Sequence, residues 1–169
     1  MRRLNGVLAA LLLLGISACA GVPAEPAEPP RPVVEGAWVR TTVGAKDPSM
    51  TAAFLTVVNP GETDLRLTSA EATVAHMVQL HEMVEVDGKL AMQEAKDGIS
   101  VPAGGHTHLT PGGYHVMLMG LTGQLAVGDE VQLTLNFADG SQVPVTAPVK
   151  EFVEEEDHYH SPEPSTTSE

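Results

Sequence analysis

A single cysteine, Cys19, is all the thiol in this chain of 169 residues, so neither a disulfide framework nor a thiolate metal site is available to it. That excludes a blue-copper electron-transfer centre, which needs a Cys sulfur beside its histidines. Basic residues are scarce as well. Nine Lys and Arg stand against 22 Asp and Glu, a formal net charge of −13, so the footprint of a nucleic-acid binder is missing and anionic partners are disfavoured. There is one tryptophan, Trp38, expected in the core as a large ring in a first strand. No His-Glu-x-x-His occurs, and no Ser-His-Asp order stands in a nucleophile-elbow setting, so an enzyme is not expected. Helical periodicity is nearly lacking after residue 20, which points away from α architectures.

What is present falls into four stretches. Residues 1–19 carry Arg2 and Arg3, then an apolar run from Val7 to Ile16 that is too short to span a bilayer, and end Ile16-Ser17-Ala18-Cys19. Small residues directly before a lone cysteine read as a lipoprotein signal whose Cys19 is lipidated; an ordinary signal peptide cut near Ala20 is the alternative. Residues 20–33 are rich in Ala, Glu and Pro and read as a semi-rigid spacer. Residues 34–152 form the expected folded domain, and residues 153–169 an acidic, disordered tail containing His158 and His160. The expected setting is therefore extracytoplasmic, tethered to a membrane through a lipid anchor, with a monomer as the expected state.

Within the domain, short runs of β-branched and apolar residues recur between turn signals. Ala37–Arg40, Thr51–Asn59, Asp64–Ala70, Val74–Val86, Lys89–Glu94, Ile99–Pro102 and His106–Thr110 read as strands, followed by one through His115. Val131, Leu133, Leu135 and Phe137 then alternate cleanly, and Asp139-Gly140 turns the chain into Val143–Val149 as a closing hairpin. The fold class is all-β, an antiparallel β-sandwich or barrel.

Soft donors gather between His81 and Met117. Strand side chains alternate faces, so His115, Met117 and Met119 point one way while Val116 and Leu118 face the core. His81 and Met83 share a face by the same parity, and Met92 follows on the next strand after the Asp87-Gly88 turn. His76, five residues before His81, falls on the other face, and His106 with His108 stand exposed at a strand start. Taken singly, each Met is a flexible core filler. Together with two imidazoles the thioethers argue Cu(I), since sulfur of this kind binds hard cations poorly. In the tail, the imidazoles of His158 and His160 beside carboxylates are harder donors, suited to Cu(II), although a merely solvated acidic tail accounts for them too.

The order His81, Met92, His115, Met117 resembles the copper signature of the PCu(A)C family of extracytoplasmic Cu(I) chaperones. Ten residues separate His81 from Met92 and one separates His115 from Met117, as in that signature; the twenty-two between Met92 and His115 are one more than usual. Flanking text is similar as well: Leu80-His81-Glu82, Val101-Pro102-Ala103-Gly104-Gly105, the run from Leu109 to Leu118, and Gly128-Asp129-Glu130-Val131. The resemblance covers about residues 34 to 150. It implies a cupredoxin-like fold, with His81, Met92, His115 and Met117 as Cu(I) ligands; Met83 and Met119, which share the parity of the site, read as substitute ligands or a hydrophobic wall that shields the metal. It also implies delivery to the binuclear copper centre of a haem-copper (cytochrome c) oxidase, with a thioredoxin-like assembly factor as a further partner. Copper sequestration for tolerance is the alternative, and a non-metal surface lipoprotein binding a protein or glycan is the reading from another class.

Overall fold

The computed structural model describes residues 30–151, and every described regular element is a strand. Cys19, the 1–19 signal, most of the 20–33 spacer, and His158 and His160 in the tail lie outside the described residues. Ten strands follow in chain order: β1 (Val33–Arg40), β2 (Met50–Val58), β3 (Leu65–Ala72), β4 (Ala75–Val86), β5 (Lys89–Glu94), β6 (Ile99–Val101), β7 (His106–Leu109), β8 (His115–Leu121), β9 (Glu130–Phe137) and β10 (Gln142–Lys150). They pair in the order β5-β4-β8-β2-β1-β10-β9-β3-β6, with β7 added to β2 beyond the end of β8.

Among the described strands, every strand-to-strand pairing but one is antiparallel. β1 meets β10 in parallel through Val39–Val149 and Arg40–Lys150, a single parallel seam within the antiparallel β-assembly that the sequence leads one to expect. The reason is topological: the first and last strands of the domain lie side by side with many intervening residues, so no hairpin dictates their direction. Apolar residues from both sides of this seam share one core, including Ala53, Leu55 and Val57 of β2, Leu80 of β4, Val116 and Leu118 of β8, and Leu133, Leu135 and Phe137 of β9. Alternation is cleanest along β9, whose Val131, Leu133, Leu135 and Phe137 are all buried between solvent-facing neighbours.

The first strand runs four residues further upstream than its sequence pattern indicates. Its register slips between Glu35 and Trp38, where Gly36 has φ +60°, a left-handed conformation that glycine adopts without penalty. Beyond this bulge Val39 occupies the core and Trp38 the opposite face, so Trp38 is half-buried outside the core rather than within it. It stands directly across from Phe54, ring centroids 4.7 Å apart.

Candidate metal centre

Two tight turns position the soft donors. Thr110-Pro111-Gly112-Gly113 is a proline–glycine turn, with Gly112 at φ +80° and the Gly113 amide donating to the Thr110 carbonyl at 3.0 Å. Pro presets the first corner and only glycine readily takes the second. This turn starts β8 at His115 and leaves the Gly113 carbonyl 3.0 Å from His115 Nδ1. A carbonyl only accepts, so Nδ1 carries the proton, and Nε2 of the neutral ring is left with its lone pair. The second turn, Asp87-Gly88, has φ of 53° and 74° and joins β4 to β5 in register, setting Met83 directly opposite Met92.

The consequence is a convergence of donors. His115 Nε2 lies 3.1 Å from Met92 Sδ. With the ring neutral, neither atom supplies a proton to the other, and two lone-pair donors face the same small space. Met117, two residues on, shares the face of His115, and a cleft of about 320 Å³ is lined by Met92, His115, Met117, Met50, Phe54 and Ala52 together with Arg40, Thr41, Thr51 and the Ala45–Asp47 loop. His115 is only 6% exposed, whereas Met92 is 50% exposed at the outer rim.

His81 joins from β4. It is the direct cross-strand partner of His115, and the two rings meet edge to face at 5.7 Å. Its Nε2 lies 3.0 Å from Gln79 Oε1, which accepts, so the lone pair resides on Nδ1. That Nδ1 is buried and has no hydrogen-bond partner among the described residues. Such an orphan is costly in a fold unless something else uses it. Burial, first, and the neighbouring His115, second, hold the His81 pKa below the ordinary imidazole value, while Glu94 pulls in the opposite direction. Burial and His115 both favour the neutral form of the ring, the form that has a lone pair to donate.

The structure thus brings His81, Met92, His115 and Met117 to one face, with Met83 beside Met92 and Met119 further along β8. His76 points to the other face, against Gly120. His106 and His108 are exposed, with rings 4.6 Å apart, and His108 Nδ1 is 2.9 Å from Thr56 Oγ1. Sequence reasoning missed Gln79, which orients His81; its parity with His81 was the available signal. It also missed Met50 and Phe54, which enter the cleft only through the pairing of β2 with its neighbours. The Phe54 ring lies 6.3 Å from that of His115 and forms a wall between the imidazole and Trp38. A larger cleft of about 710 Å³, lined by Glu82, Gln93, Glu94, Lys96 and Tyr114 among others, offers carboxylates and amides in place of soft donors.

The geometry has parallels in known proteins. The family model described as "Putative lipoprotein LpqE-like" matches residues 33–149. "Putative lipoprotein Lxx21020" of Leifsonia xyli subsp. xyli is 41% identical over 159 residues, covering 94% of this chain and 96% of the relative. The solution structure of CuI-DR1885 from Deinococcus radiodurans superposes with a TM-score of 0.60 at 31% identity, over 75% of this chain and 83% of that one. The copper-bound PCuAC domain from PmoF2 gives a TM-score of 0.58 over 73% of this chain and 96% of that domain; at 21% identity it bears on the fold alone. The cupredoxin-like fold is common to them.

Proposed function

Because the chain belongs to the LpqE-like family, we propose that it is an extracytoplasmic, lipid-anchored copper(I) chaperone that holds its cargo at His81, Met92, His115 and Met117. One observation carries the reading: His115 Nε2 faces Met92 Sδ at 3.1 Å, and the His81 ring beside it buries an Nδ1 that has no hydrogen-bond partner among the described residues. The likeness to CuI-DR1885, a protein solved with Cu(I), supports it.

The donor set suits transfer. Two imidazoles and two thioethers are neutral, favour Cu(I) over Cu(II), and survive an oxidising compartment in which paired thiols would become disulfides. Met92 at the exposed rim is the ligand an acceptor displaces first, while His115, pinned by Gly113, holds the ion until the exchange is complete. The acceptor in this reading is the binuclear copper centre of a haem-copper oxidase, with a thioredoxin-like factor keeping the acceptor's thiols reduced. Cys19 provides the anchor, residues 20–33 the spacer, and His158 and His160 an accessory Cu(II) site on the tail. Nothing in this chemistry calls for turnover, since two thioethers make a poor Lewis acid for activating water.

A deletion strain provides the test. Loss of oxidase activity that added copper restores supports delivery. Normal oxidase activity with heightened copper sensitivity refutes delivery and favours sequestration.

A further inference from the structure

Three further methionines stand in one row across adjacent strands. Met119 of β8 is the direct cross-strand partner of Met50 on β2 and of Met77 on β4. Directly opposed residues rise from the same face of a sheet, so all three thioethers share the face of His81, His115 and Met117. None belongs to the core: Met77 is 54% exposed, Met50 38%, and Met119 half-buried between them. An outward-facing row on an antiparallel sheet is ordinarily polar. Here it holds the one type of large apolar side chain that also carries a soft lone pair.

We propose that Met50, Met77 and Met119 form a second, thioether-only Cu(I) site that loads the mixed His/Met site. Neighbouring strands lie about 4.8 Å apart, so two flexible thioethers can close over the central Met119 from either side. Met119 and His115 are separated by two strand steps of about 6.8 Å each, with Met117 on the step between them. Met50 also lines the cleft shared by Met92, His115 and Met117, so one open surface joins both places. An ion held by Met50, Met77 and Met119 moves by exchanging those sulfurs one at a time for Met117 and then His115. Copper remains Cu(I) throughout and no proton or electron is transferred. Sulfur alone binds more weakly than sulfur with imidazole at this charge, and that difference gives the movement its direction. The existence of the second site is independent of the proposed function, whereas its loading role rests on it.

The test is anaerobic titration of the full chain in detergent with Cu(I) against a competing chelator, with the methionine methyls labelled for NMR. The wild type is expected to take a second, weaker equivalent that shifts the methyls of Met50, Met77 and Met119. Met77→Leu keeps side-chain volume and lies outside the first site; it should abolish the second equivalent and leave the first at wild-type affinity. The His81→Ala/His115→Ala double variant should retain one weak Cu(I) with sulfur-only X-ray scattering. A wild type that binds a single equivalent overturns the second site and leaves the first intact. A second equivalent that ignores Met77→Leu overturns the assignment. Loss of all Cu(I) binding in the double variant also overturns it.

Discussion

Two hairpins of this domain begin from the same turn chemistry and end in opposite roles. β9–β10 turns at Asp139-Gly140 and β4–β5 at Asp87-Gly88. In the first, every second residue of β9 is buried, and both strands have neighbours on each side, β3 and β1. In the second, β5 pairs with β4 alone among the described strands; its Leu90 is 67% exposed and Met92 is a rim donor. Turn residues therefore specify a reversal and say nothing about what the hairpin is for. That is decided by what flanks it: β9–β10 is sandwiched into the core, while β5 hangs at the sheet edge, where a ligand can move without disturbing packing.

The sharpest way to break this contrast is to exchange the two readouts, stability and copper affinity. Leu133→Ala on β9 should lower unfolding free energy by about 2–5 kcal/mol in chemical denaturation, because it opens a cavity in the shared core. Its folded fraction should bind copper as the wild type does. His115→Ala should do the reverse, cutting Cu(I) affinity about a hundredfold in chelator competition. Its cost in stability should be about 1 kcal/mol for the lost bond to Gly113. Met92→Leu sharpens the comparison further: affinity should fall about tenfold, with stability changed by less than about 0.5 kcal/mol, since the side chain is half in water. Equal effects on both quantities in any of these variants would collapse the distinction between the regions.

The smallest effect separates the regions by pH. The His81 pKa is depressed in the folded apo-protein, so as pH falls below about 6.5 the unfolded chain takes up its proton first. Stability should therefore start to decline there and go on declining until pH has passed the lowered folded value, a decline that His81→Ala removes. Asp139 behaves differently: the side-chain and backbone bonds from Ser141 lower its pKa, so its contribution is present above about 3.9 and disappears only as pH falls through that lower value. Denaturation curves across pH 3 to 8 for the wild type, His81→Ala and Asp139→Asn check both windows.

Much of this is legible in the sequence. Lys89–Glu94 reads off the sequence with the bounds it has in the fold, and β9 and β10 extend only a residue at an end beyond their apolar alternation. Parity alone placed His115 with Met117 and set Val116 and Leu118 in the core, because period two is dictated by the backbone. What the sequence does not show is the pairing of strands that no tight turn connects, and the irregularities within a strand. The Gly36 bulge hid half of β1 and, with it, the face of Trp38. The parallel β1–β10 contact has no local signature. Met50 and Phe54 belong to the cleft only because β2 runs beside β8, a long-range register that no window of the chain encodes.

The most direct measurement of the central claim is X-ray absorption at the copper edge on the full chain loaded with one equivalent of Cu(I), for the wild type and for His81→Ala, Met92→Ala, His115→Ala and Met117→Ala. The wild type should show mixed nitrogen and sulfur scattering, with one nitrogen scatterer fewer in each His variant and one sulfur scatterer fewer in each Met variant. Four variants that keep the wild-type spectrum and affinity would contradict it.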